Sequence, residues 1–350
     1  MASGYVKPPA LRAGDRVAVV SSSWGGPSVL PAPHEAGLGI LRDHLGLEVV
    51  EARTARMPAD ELAGAPRLRA ETMNELFADD SIRAIISTIG GDDSVRILPW
   101  LDTDLAVANP KIVLGYSDTD AQLVAYHLAG LVTYNGPSVM SGFAQLGTFG
   151  DALEHARAML LGEAGAGYEL PEFERWTETN SDWADPKRAA EVVGLRPHDG
   201  WHWLGAARTT RGRLFGGCIE VLEFLKGTRW WPNADPSWWR DRVLFLETSE
   251  EKPSLASVRY WLRNYGSQGA FDQLAALWFG RARSYSDDEK TQLDASIVDV
   301  VVGEFGATDL PIVTNLDFGH TDPQWVLPLG VEVETDPLGR TLRLGEAPTA

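Results

Sequence analysis

The stretch "KIVLGYSDTDAQLVAYHLAG", Lys111 to Gly130, sets an apolar β-branched run directly against a helical pattern, with Ser117 at the join. "KIVL" reads as a short buried strand, and Val124, Leu128 and Leu131 give the segment after it one apolar stripe. A strand feeding a helix through a tight turn is half of a βαβ unit, and the sequence upstream repeats it. "DRVAVVSSS" (15–23), "LEVVEA" (47–52) and "IRAIISTIGG" (82–91) read as strands; "PHEAGLGILRDHLG" (33–46), "APRLRAETMNELFAD" (65–79) and "DSVRILPWL" (93–101) read as helices. This alternation predicts an α/β fold whose N-terminal part is a doubly wound, mostly parallel sheet. Ligands of such sheets sit at the carboxyl ends of the strands, which singles out "SSSWGGPS", "TIGGDDS" and "GYSD".

From about Gly162 the pattern changes. A polar stretch broken by Pro and Gly carries Trp176, Trp183, Trp201 and Trp203 and reads as a linker or surface excursion. Beyond it, "GRLFGGCIEVLEFLKG", "DRVLFLETSEE", "QLAALWFGRA" and "PIVTNLDFGH" mix strands with helices, and "VEVETDPLGRTLRL" alternates around a turn as a hairpin does. The expected organisation is an N-terminal domain over 1–165, a Trp-rich excursion over 166–207, and a smaller mixed α/β C-terminal domain over 208–350 with antiparallel character.

The 350 residues hold 49 acidic against 31 basic side chains, a formal charge of -18. That balance opposes binding to nucleic acid polymers or anionic lipid, both of which need clustered Lys and Arg. One cysteine, Cys218, cannot form an internal disulfide; the first residues lack a signal peptide's apolar run, and no stretch is long enough to cross a bilayer. A soluble cytoplasmic protein is expected. There is no H-E-x-x-H, no cysteine pair and no phosphate-cradling glycine loop, so neither a metal nor an organic cofactor is suggested.

Ser117 admits two readings. With Asp120 three places on it resembles a capping box, and Asp118 and Asp120 suit the positive end of a helix dipole. Alternatively, a serine on a sharp strand-to-helix turn raises its hydroxyl above the sheet, and the N–H of Asp118 can donate to an oxyanion. A serine nucleophile needs a base and a group to orient it. Among the seven histidines, His34, His44 and His155 fall in predicted surface helices, His127 in the helix after Ser117, and His198 and His202 in the excursion. His320, in a Gly-containing loop after a strand, is where a catalytic imidazole is commonly carried, although a solvent-facing loop histidine has the same signature. Glu247 closes an apolar strand, as a catalytic or merely strand-ending acid. Cys218 is a second candidate nucleophile, or a small buried hydrophobe.

Taken in order, "LRAGDRVAVVSSS", "TIGGDDSVRILPWLD", "NPKIVLGYSDTD", "YNGPSVM", "GRLFGGCIEVLEFLKGT", "VLFLETSEEKPS", "GSQGAFDQLAALWFGR" and "NLDFGHTDPQWVLPLG" resemble the LD-carboxypeptidase family of serine peptidases. The Trp-bearing stretch from Glu172 to Leu204 is more similar to its microcin C immunity branch. The resemblance implies Ser117 as nucleophile, Glu247 as carboxylate and His320 as base, with the N–H groups of Gly91 and Asp118 as oxyanion hole. It implies Trp183, Gly90 and Asp92 at the substrate, with Trp183 stacking on a base, no cofactor, and a homodimer. The implied reaction is cleavage of an amide in a peptidyl- or aminoacyl-nucleotide analogue, as in self-immunity. The alternatives are removal of the terminal D-residue of a peptidoglycan tetrapeptide, a cysteine hydrolase using Cys218, and a small-ligand binding protein without chemistry. Asp120 departs from the uncharged residue usual there; it could raise the pKa of the base, repel an anionic substrate, or face solvent as a cap.

Overall fold

The computed structural model describes residues 4–232 and 235–350. Its first sheet is built from β1 (Arg16–Val20), β2 (Glu48–Glu51), β3 (Ile82–Ser87), β4 (Ile112–Gly115) and β5 (Thr133–Asn135). The chain then forms a two-stranded ribbon, β6 (Arg175–Trp176) and β7 (Arg196–Pro197), before the second sheet begins with β8 (His202–Gly205) and β9 (Thr210–Cys218). It continues through β10 (Arg242–Glu247), β11 (Ala276–Gly280) and β12 (Pro311–Leu316) to β13 (Leu327–Leu329), β14 (Glu332–Asp336) and β15 (Thr341–Leu344).

The first sheet runs β13-β5-β4-β3-β1-β2, parallel except for β13. Its central strands β1, β3 and β4 are rich in buried Val and Ile because helices cover both faces. One face packs helix residues Met73, Phe77, Leu123 and Tyr126 on Val20, Ile85 and Val113. The second sheet runs β15-β14-β9-β10-β11-β12-β8, with β9 to β12 parallel and β8, β14 and β15 antiparallel at its flanks. This is the expected pairing of a parallel-rich sheet with a mixed one. The "DPLG" hairpin is present as β14 and β15, while "DSVRILPWL" is a 3-10 helix, Ser94–Trp100, with Pro99 inside it.

The chain passes from the first sheet to the second before β8, returns to the first for β13 and passes back again for β14. Strand β13, late in the chain, adds to the edge of the first sheet, and β8, from the Trp-rich stretch, adds to the edge of the second. A single apolar cluster accordingly runs from Leu114 and Tyr134 through Phe215 and Phe245 to Phe318 and Trp325. His34 and His155, expected in surface helices, are buried instead. His155 accepts the Val326 N–H at 3.0 Å and lies 3.1 Å from the Tyr168 hydroxyl, a pairing that short-range periodicity cannot show.

Candidate active site

The loops that leave β1, β3 and β4 lie side by side, all at carboxyl ends. Ser117 occupies the turn after β4 with φ 59°, a left-handed conformation costly for a residue with a Cβ. The Asp118 side chain holds that turn. Fully buried, it accepts hydrogen bonds from Ser23 Oγ, from the Asp93 N–H at 3.1 Å and from the Ser94 N–H at 2.7 Å, while Ser94 Oγ donates to its backbone carbonyl at 2.5 Å. Burial raises the Asp118 pKa and these donors work against the rise. Asp93 is itself fixed by a two-pronged pair with buried Arg69, at 2.6 and 3.0 Å.

Gly90 allows the β3 loop to lie against this turn: a Cβ there would sit 3.0 Å from Ser117 Cβ and 3.4 Å from the Asp118 nitrogen. The capping reading of Ser117 does not hold. The 3-10 turn Ser117–Thr119 and the helix Asp120–Ala129 have no side-chain cap, and Ser117 Oγ points to an imidazole instead.

The opposing wall comes from the second sheet, again from carboxyl ends. Glu247 is the last residue of β10, and His320 lies in the loop after β12. That loop is pinned by the buried pair of Arg281 with Asp317, to which Trp201 Nε1 also donates at 2.7 Å. Gly319 (φ 100°) passes so close to Glu247 that a Cβ would lie 2.8 Å from its carboxylate oxygen. The result is a hydrogen-bonded chain: Glu247 Oε2 to His320 Nδ1 at 2.7 Å, and His320 Nε2 to Ser117 Oγ at 3.1 Å. Glu247 and His320 are both buried. Tyr116 stands edge-on to the imidazole, centroids 5.0 Å apart, and its hydroxyl is 2.6 Å from Ser141 Oγ.

A second carboxylate also reaches the imidazole. Glu250 Oε2 is 3.0 Å from His320 Nε2. Burial lowers the His320 pKa, but Glu247 and Glu250 outweigh it and raise the group to about 10.

The pocket over Ser117 is lined by Gly90, Gly91, Trp183, Glu250, Arg283 and His320 among others. Trp183 is carried on a loop tied to the His320 loop by reciprocal backbone bonds between Thr177 and Asp322, at 2.7 and 2.8 Å. Asp92, expected at the substrate, is exposed and outside this lining. Trp176 and Trp201 are buried in packing. Sequence reasoning missed Glu250 and Arg283. The acidic pair after β10, "SEEK", was the available signal for the first.

Asp120 is not a solvent-facing cap. It is fully buried and accepts the Cys218 N–H and the Asn135 amide, each at 2.7 Å, joining the first sheet's helix to the end of β9. Burial dominates these bonds and lifts its pKa to about 8. Cys218 is buried at the start of a helix, and burial pushes its thiol well above the ordinary value, away from the thiolate that a cysteine nucleophile requires. Among the described residues no cluster of three or more His, Cys, Asp or Glu is arranged to hold a metal ion. No described helix is long and apolar enough to cross a membrane.

The models of the LD-carboxypeptidase N-terminal and C-terminal domains match residues 17–136 and 211–335. The chain is 29% identical to the microcin C7 self-immunity protein MccF of Escherichia coli, over 93% of this chain and 92% of that one. It is 26% identical to the murein tetrapeptide carboxypeptidase of Pseudomonas aeruginosa, over 82% and 81%. A solved structure of MccF in complex with glutamyl sulfamoyl guanosine superposes with a TM-score of 0.88 at 26% identity, covering 99% of this chain and all of that one. A binding protein without chemistry is thereby set aside: the chain belongs to the LD-carboxypeptidase family and is a hydrolase of its serine peptidase class.

Proposed function

We propose that the protein cleaves an amide next to the nucleotide-linked end of an aminoacyl- or peptidyl-nucleotide analogue, by acyl transfer through Ser117. The observation that carries this reading is the hydrogen-bonded chain from Glu247 through His320 to Ser117. His320 Nε2 takes the proton of Ser117 Oγ as that oxygen attacks the carbonyl carbon; Glu247 holds the Nδ1–H tautomer and stabilises the imidazolium. The N–H groups of Gly91 and Asp118 receive the oxyanion, a contribution of ~3 kcal/mol per donor. The C–N bond breaks as His320 returns its proton to the leaving nitrogen, and water then releases the acyl group by the reverse sequence.

The substrate class is supported by Trp183 on the pocket wall and by the likeness to MccF, whose structure holds glutamyl sulfamoyl guanosine. A Trp face stacked on a base contributes about 1–3 kcal/mol. The second reading, removal of a terminal D-residue from a peptidoglycan tetrapeptide, is favoured by Arg283, a pocket guanidinium suited to a terminal carboxylate, and by the murein tetrapeptide carboxypeptidase relative. On either reading we place the nucleophile in a domain over 1–165 and the acid and base in one over 208–350, in a cytoplasmic homodimer.

Incubation with an aminoacyl sulfamoyl adenosine and with a muropeptide tetrapeptide, products read by mass, tests both. Release of the sulfamoyl nucleoside by wild type and not by Ser117→Ala is expected. Turnover of the tetrapeptide alone would move the assignment to the second reading, and undiminished activity in Ser117→Ala would refute both.

A further inference from the structure

Ser117 has a rival for the imidazole. His320 Nε2 lies 3.1 Å from Ser117 Oγ and 3.0 Å from Glu250 Oε2. That nitrogen offers either one proton or one lone pair. Protonated, it forms an ion pair with Glu250 and has no lone pair with which to take the serine's proton. Unprotonated, it sets a lone pair against a carboxylate that has nothing to donate. The surroundings favour the first state. Glu247 faces the ring from the end of β10 and Glu250 from the loop after it; Asp322, on the ring's own loop, has its pKa raised by burial to about 6, and Asp120, on the helix of the first sheet, has its pKa lifted to about 8 and carries little charge at neutral pH. Arg283, from the loop after β11, lies near Asp322 and Glu250, and Tyr116 covers one edge of the ring without charge. Before substrate binds, the ring is therefore held protonated between Glu247 and Glu250.

Glu250 differs from the other partners in its freedom. Its side chain is 54% exposed whereas that of His320 is 4% exposed, and among the described residues its carboxylate makes no second ion pair within 4 Å. It shares a neighbour, His320 Nε2, with Ser117 Oγ, the atom that must meet the scissile carbonyl, and so lies no farther from that oxygen than the two contacts laid end to end. In an aminoacyl group the α-nitrogen is two covalent bonds from that carbonyl carbon, which brings its ammonium within ion-pair reach of Glu250.

We propose that Glu250 is a specificity-determining residue: it blocks His320 before substrate binds and is drawn away by an ammonium group on the acyl part of the substrate. The inference rests on the acyl-transfer reading above. When the ammonium pairs with Glu250, one of the two carboxylates holding the Nε2 proton is neutralised, the proton passes to water, and the lone pair turns to Ser117. Acyl groups without a positive charge leave the block in place.

The test compares wild type with Glu250→Gln on three sulfamoyl adenosines: alanyl, with an α-ammonium; N-acetylalanyl, with no ammonium; and N-acetyl-lysyl, with a side-chain ammonium only. Wild type should favour alanyl over N-acetylalanyl by about 10-fold or more in kcat/KM at neutral pH. In Glu250→Gln the N-acetylalanyl rate should rise, the preference shrink to about 3-fold or less, and the acid limb of its pH profile move down. Wild-type N-acetyl-lysyl rates near those of alanyl show that a side-chain ammonium serves as well; rates near N-acetylalanyl assign the effect to the α-ammonium. An unchanged preference in Glu250→Gln overturns the proposal. Titration of the His320 ring by NMR in the free protein needs no substrate, and the variant should titrate at least about one unit lower. If wild type cleaves none of the three, the nucleotide reading fails, and the ring titration alone decides: a downward shift supports the role of Glu250, and an unmoved one removes it.

Discussion

At the scale of single residues, what matters is which proton sits on which atom. Glu247 accepts from Nδ1 of His320, so the proton needed for catalysis must be taken at Nε2. Glu247→Gln can present an N–H to Nδ1, stabilising the wrong tautomer; kcat should fall by about 10,000-fold with the far-UV spectrum unaltered. A loss of under tenfold in steady-state kinetics would mean that Glu247 does not orient the base. Trp183→Ala separates the substrate classes. A lost base stack should raise KM for a sulfamoyl adenosine by about 5- to 150-fold, with kcat little changed, and leave a tetrapeptide unaffected; equal losses on both would make Trp183 a packing residue. Position in the sequence left Ser117, Glu247 and His320 open as a cap, a strand-ending acid and a loop histidine, and only the family resemblance named them as a set. Glu250 was not legible, since a carboxylate in a polar loop looks solvated until the loop is seen folded over an imidazole.

At the scale of elements, the walls of the pocket are strand ends locked to one another by buried carboxylates. Asp118 gathers the loops after β1, β3 and β4, and Asp120 ties the following helix to β9. The pattern of apolar runs was enough to order most strands and helices, because helices on both faces leave the central parallel strands largely apolar. It could not reveal these ties, which join residues such as Asp120 and Cys218 that are remote in the chain. The pKa of Asp120, raised by burial from the ordinary 3.8 to about 8, has a thermodynamic consequence. Between those values the unfolded chain has lost a proton that the folded one keeps, so stability declines as pH rises through this window and levels off above it. Asp120→Asn should remove that decline, flattening thermal midpoints across the window and, near pH 8, matching or exceeding wild type by up to a few kcal/mol, on the order of the linkage term. A variant whose midpoint still falls in parallel with wild type would contradict the assignment.

At the scale of the whole molecule, the two sheets share one apolar cluster, and β13, from between two strands of the second sheet, completes the edge of the first. Calorimetry should therefore record one cooperative transition, with calorimetric and van't Hoff enthalpies in agreement; two resolved transitions would show sheets that unfold independently. That crossing was hidden from the sequence because short edge strands such as Leu327–Leu329 carry little periodicity of their own. Its value to function is that Ser117 and His320, carried by different sheets on one core, meet at hydrogen-bond distance. That arrangement is proposed to form a covalent acyl-enzyme, and the measurement that meets the proposal most directly is rapid acid quench of the protein with an aminoacyl sulfamoyl adenosine, followed by peptide mass mapping. The acyl mass should appear on the peptide containing Ser117 in wild type and be absent in His320→Ala. Sustained turnover with no acyl adduct on Ser117, or with the adduct on another residue, would contradict it.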